Sequence, residues 1–217
     1  MINIDLIRML DEGRIEEVKK ILKDELYKVS LTSKSGAHRR YSAMKKYFKY
    51  HKFVQEYLSK PCKDIEFEGK KYNSFTNSWS LVLTSEDIGE IEPFNKETGK
   101  YPDVARLIYV DDNPTTIDIS KVIAKAKTEG YKLVNKEVGP RSEYLVQFKD
   151  TYYKLGLLHS SYEIINDGKP IMIFIPDGPN KAMTIKTSIG YCVVMPVKYV
   201  KDPDDPKIII KIDKEEL

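Results

Sequence analysis

Phe75-Thr76-Asn77-Ser78-Trp79-Ser80-Leu81-Val82-Leu83 and, 110 residues later, Ile185-Lys186-Thr187-Ser188-Ile189-Gly190-Tyr191-Cys192-Val193-Val194 both read as strand, and each closes a longer stretch that follows one script. The first stretch runs from Tyr41 through a helical segment to Ser59, then through Asp64-Ile65-Glu66-Phe67. The second runs from Thr151 through another helical segment to Asn166, then through Ile171-Met172-Ile173-Phe174-Ile175. From helix start to final strands the spacing is equal, Tyr41 to Phe75 and Thr151 to Ile185. A repeated helix-then-strands unit implies two half-cores packed about a pseudo-two-fold axis, with helices on one face of the sheets. The expected class is therefore α+β, with duplicated helix-plus-antiparallel-strand units.

Outward from the repeat, the period of apolar residues divides the rest. Residues 3–28 read as a helical hairpin interrupted at Gly13, with Ile15, Val18, Ile21, Leu22 and Leu26 at helical spacing. Ser30 to Gly36 is polar and loop-like, and a third helix is expected from Tyr41 to Leu58. A hairpin turning at Gly69 follows, then an acidic loop from Glu86 to Lys100 and a connector from Tyr101 to Ile108. Ile119 to Gly130 is expected as helix, capped near Asp118 or Ser120, and Tyr144 to Phe148 as strand. The organisation read this way is an N-terminal helical extension over 1–36, a main domain over 37–200, and a tail over 201–217 with an extra strand near Ile208 to Ile212.

Composition bounds the function classes. Charged residues make up 32% and hydrophobic residues 41% of 217, which suits a soluble globular chain. The longest apolar run, Ile171 to Ile175, is far too short to span a bilayer, so no membrane partner is expected. The start lacks a basic and apolar leader, so a cytoplasmic location is expected, with Cys62 and Cys192 as reduced thiols. Net charge is only +3, but it is sorted. From Lys34 to Lys52 there are seven Lys and Arg, with His38 and His51 and no acid. Such a block on a balanced chain is an electrostatic footprint for a polyanion.

Three segments carry a resemblance. Gly190-Tyr191-Cys192-Val193-Val194-Met195-Pro196-Val197-Lys198 resembles the closing strand of bacterial DNA sliding-clamp subunits (the DNA polymerase III beta subunit), which end aromatic-aliphatic-aliphatic-Met-Pro-aliphatic-basic. Lys100-Tyr101-Pro102-Asp103-Val104-Ala105-Arg106-Leu107-Ile108 is similar to the connector between clamp half-domains, and Phe75 to Leu81 to the strand before it. They occur in the clamp order and cover roughly residues 40 to 200. The resemblance implies a single clamp-like domain, no enzymatic activity and no cofactor. A bacterial clamp chain carries three such domains and closes as a dimer, so encirclement here would require six copies or two-domain partners. The helical segment 1–36 has no clamp counterpart, and the chain continues about twenty residues past the closing motif.

Candidate sites follow. Arg39, Arg40, Lys45, Lys46, Lys49 and Lys52, interleaved with Tyr41, Tyr47, Phe48 and Tyr50, suit a sequence-independent DNA surface, and in the clamp picture this helix faces the DNA channel. The same pattern also suits an amphipathic helix whose lysines are merely solvated. By resemblance Met195, Pro196 and Val197 line a pocket for a peptide from a polymerase or other replication protein. The alternative packs that strand end beneath the tail strand Ile208 to Ile212. His159 beside Ser160 and Ser161 lacks a nucleophile elbow, and Asp111-Asp112 and Asp202 to Asp205 lack the spacing of a calcium loop, so neither a catalytic nor a metal site is expected. Two functions remain: a DNA-associated processivity or tethering factor, phage- or mobile-element-related and oligomeric, or a protein-interaction module on a clamp-like fold that no longer binds DNA.

Overall fold

The structure, a computed structural model, describes residues 4–30, 36–50, 60–89, 91–95, 97, 100–138, 142–169, 171–176, 178 and 180–212. In chain order the elements are α1 (Ile4–Asp11), α2 (Ile15–Ser30), α3 (Gly36–Tyr50), β1 (Cys62–Phe67), β2 (Lys70–Thr76), β3 (Ser80–Thr84), β4 (Thr115–Ile117), α4 (Ile119–Thr128) and α5 (Asn135–Val138). There follow β5 (Tyr144–Phe148), β6 (Thr151–Lys154), α6 (Leu155–Ile165), β7 (Ile171–Phe174), β8 (Met183–Thr187), β9 (Gly190–Val194) and β10 (Ile208–Lys211). The class is α+β, with a large antiparallel sheet.

Turn chemistry builds that sheet. Glu68 and Gly69 both take positive φ, 47° and 71°, which matches the right-handed twist of the β1–β2 hairpin. β1, β2 and β3 form one antiparallel meander, and β7, β8 and β9 form another. The two join along β3 and β9, with Val82 opposite Cys192, giving the order β1-β2-β3-β9-β8-β7-β4. Each meander runs in chain order toward the seam, and β4 adds a further strand outside β7. A second, three-stranded sheet has the order β10-β5-β6, and β10, the strand expected in the tail, pairs parallel to β5.

Both seam strands are buried on two faces, which is why they read as continuous apolar runs rather than alternating ones. Phe75, Val82, Ile185, Cys192 and Val194 join the main core beneath α3 and α6. Tyr72, Leu81, Leu83, Tyr191 and Val193 form a smaller cluster on the other face, where Val104 of the connector covers them. Helix α6 touches both sheets as well as α3 and α5, so it lies inside the core.

Several boundaries differ from the sequence reading. Thr151 to Lys154 is strand β6 rather than the start of a helix. Buried Thr151 and Tyr153 alternate with partly exposed Tyr152 and Lys154, and β-branched and aromatic residues favour that pleated setting. Helix α3 begins five residues before Tyr41 and α6 four residues after Thr151, so the equal spacing does not mark equal helix starts. The predicted continuation of α3 to Leu58 falls outside the described residues from 51 onward. Strand β4 and the single turn α5 carry too short an apolar period to be predicted. The hairpin α1–α2 and the cap of α4 match, with Asp118 Oδ1 accepting from Ser120 N at 2.9 Å.

Burial also sets thiol chemistry. Cys62 and Cys192 are both buried thiols, and loss of hydration pushes the Cys192 thiol up to about 12. Ellman's reagent should therefore titrate neither thiol in the native protein and both after denaturation. Rapid native reaction of either would contradict this packing.

Candidate nucleic-acid interface

Helix α3 sorts its side chains by face. Tyr41, Met44 and Tyr47, spaced three apart, turn into the core with Ala43. Positions 39, 42, 46 and 49 stack on another face at the three-and-four spacing of helical neighbours. Arg39 and Lys46 on that stripe are exposed and make no hydrogen bond or ion pair among the described residues. Lys49 occupies the same stripe by position, and Lys52 lies outside the described residues.

The other two cations are occupied. Arg40 Nη2 meets Glu86 Oε1 at 2.6 Å and Nη1 donates to the carbonyl of Asn166 at 3.4 Å, with only 14% of its side chain exposed. It fastens α3 to the loop after β3 and to the end of α6. Lys45 pairs with Asp24 of α2, which also accepts from the Tyr41 hydroxyl. Arg40 and Lys45 thus fix the helix, leaving Arg39 and Lys46 to face solvent.

Between α3 and the end of α6 runs a groove of about 470 Å³, lined by Arg39, Arg40 and Lys46 on one side and by Glu163, Asn166 and Asp167 on the other. A hydrogen bond from His159 holds the Glu163 carboxyl below its ordinary range, and the charges of Lys46 and Lys127 act in the same direction. Asp167 is held down as well, by Ser188 and backbone amides against the opposing effect of burial. Both carboxylates are therefore charged at neutral pH, so the wall opposite Arg39 and Lys46 is acidic. The second helix of the repeat, α6, offers no cation. Its sequence, LGLLHSSYEII, contains no Lys or Arg, and it is enclosed by the two sheets and α5.

Met195 is exposed, while Pro196 and Val197 are partly buried. Val197 bridges Tyr152 of β6, whereas β10 pairs with β5 on the far side, so the tail strand does not cover the Met195-Pro196-Val197 step. Next to it is a feature the sequence reading placed inside a strand. Residues 77–79 form a turn whose centre is Asn77, buried to 1% exposure, and Asn77 Oδ1 accepts from Trp79 N at 2.9 Å and Ser80 N at 2.7 Å. The Trp79 carbonyl accepts from Met195 N at 2.9 Å, so both backbone groups of Trp79 are tied while the residue as a whole remains 50% exposed. Asn-Ser ahead of the single tryptophan was the available turn signal.

Elsewhere, polar residues have structural roles. Tyr131 Oη lies 3.1 Å from His159 Nδ1, and Ser160 Oγ donates to the Leu157 carbonyl of its own helix. Asp111 and Asp202 accept from backbone amides two residues on, and among the described residues no three His, Cys, Asp or Glu gather to hold a metal. Among those residues no helix is long and apolar enough to cross a membrane. No family model, curated protein or solved structure matches this chain.

Proposed function

We propose that this chain is a non-enzymatic, nucleic-acid-associated protein of clamp-like design, binding without sequence preference through the exposed stripe of α3. The sorting of α3 carries the reading. Two of its cations have acid partners and hold the helix, while Arg39 and Lys46 face water about 10 Å apart along it, at the 1.5 Å rise of a helix, and Lys49 continues their row by position. Lysine and arginine in such a row neutralise phosphates and contribute affinity that falls with salt. Two three-strand antiparallel meanders meet at the β3–β9 seam, with β4 added at one edge and α3 and α6 in contact, which supports a duplicated clamp-like unit. One domain does not enclose a duplex, so tethering or processivity would require several copies.

A second reading rests on the N-terminal hairpin. Val18 is buried, but Ile7, Leu10, Ile15 and Leu22 are about half exposed and Leu26 is 71% exposed, an apolar face suited to a protein partner. Retention of labelled duplex and single-stranded DNA by the native protein at low salt, released at high salt, is the outcome expected of the first reading. No retention of either at low salt removes it in favour of the interaction module.

A further inference from the structure

The turn that presents Trp79 is braced from the core side by α3. Tyr47 Oη, on the last described turns of α3, is 3.1 Å from Ser80 Oγ, the residue after Trp79. Asn77 accepts from Trp79 N, Ser80 N and Ser80 Oγ, Thr76 Oγ1 donates to the Ser80 carbonyl at 2.9 Å, and Met195 N closes the turn from β9. A large apolar ring is thus held in water on a turn with little freedom left to lose, the preorganisation that favours binding.

Lys154, at the end of β6, places its ammonium 5.0 Å from the Trp79 ring centroid. It is partly buried and has no carboxylate within ion-pairing distance among the described residues. Burial and the like charge of Lys207 lower its pKa, and Lys207 itself is matched by Asp205 at 2.8 Å. The site therefore carries an uncompensated cation, stabilised by an aromatic face. Trp79 is half exposed, so a ligand can reach it.

We propose that Trp79 is a stacking platform for an unpaired base of single-stranded nucleic acid, with Lys154 receiving the adjacent phosphate. This rests on the nucleic-acid reading above and adds strand preference to it. A base inside a duplex is stacked on both faces and cannot reach the ring, whereas an unpaired base can, and the stacking is indifferent to sequence.

Because the chain has one tryptophan, its emission reports on this site alone. Titrating the native protein with oligothymidylate at low salt should quench the emission, while a blunt duplex and inorganic polyphosphate should not. With a labelled oligonucleotide followed by anisotropy, Trp79→Ala should weaken binding by roughly 5- to 150-fold, the range for loss of one base–aromatic stack. Trp79→Phe should lose less, and Lys154→Gln should flatten the log-affinity against log-salt slope by about 0.7. Binding with unchanged emission and undiminished affinity of Trp79→Ala would overturn the platform and leave the α3 reading standing. Equal quenching by duplex or polyphosphate would also overturn it, since charge alone would then explain the signal. Absence of any binding would overturn both.

Discussion

Replacing Gly190 by alanine is expected to destabilise the fold by roughly 3 kcal/mol, the upper end of overpacking costs. A Cβ at this position would stand 2.0 Å from the Leu83 carbonyl oxygen and 3.1 Å from Ile165 Cγ2. The first obstacle is the backbone of β3 and the second is α6, so no rotamer change relieves the clash. The methyl must push β9 off β3 at the seam where the two meanders meet. Alanine stiffens the unfolded chain by about 0.4–1 kcal/mol in the opposite sense, too little to compensate. Urea unfolding checks this: the midpoint should fall with the slope unchanged. A midpoint at the wild-type value would mean that β3 and β9 are not this close.

Glu137→Ala is expected to cost about 2–4 kcal/mol, because buried donors are left without an acceptor. Glu137 is buried on α5, and its Oε2 accepts from Ser142 Oγ at 3.2 Å and from the amides of Glu143 and Tyr144 at 3.2 and 3.3 Å. These groups lead the chain into β5, so the carboxylate sets where that strand begins. The carbonyl of Glu137 would meet a Cβ on Gly156 at 2.3 Å, so the same turn sets how closely α5 approaches α6. Glu137→Gln keeps an acceptor oxygen and should lose less than half as much. Hydrogen exchange at the Tyr144 amide should accelerate in the alanine variant and much less in the glutamine one. Equal protection in both variants and the wild type would contradict this role.

The residues that made the fold legible were those whose pattern is local. Leu81-Val82-Leu83 and Tyr191 to Val194 announced central strands because burial on both faces removes the polar alternation. Gly69 and Asp118 marked a turn and a cap through their own backbone chemistry. What the sequence hid depends on partners far along the chain. Thr151 to Lys154 joins a sheet completed by Ile208 to Lys211, more than 50 residues later, and a four-residue strand cannot advertise itself against the apolar helix that follows it. At the site, the acid-free run from Lys34 to Lys52 was plain, but its division was not. Glu86 and Asp24, which occupy Arg40 and Lys45, lie 46 and 21 positions away from those residues. Trp79 read as one more strand aromatic until the buried amide of Asn77 was seen to turn it outward.

The charge account is tested most directly by the salt dependence of duplex DNA binding, measured side by side for the native protein and for Arg39→Gln/Lys46→Gln/Lys49→Gln. Arg39 and Lys46 are exposed and Gln is a fair helix former, so the variant should unfold at the native midpoint. The account predicts a linear fall of log affinity with log salt for the native protein, and a slope shallower by up to about 0.9 for each phosphate contact removed. An identical slope in the variant, or no duplex binding by the native protein at the lowest salt, would contradict it.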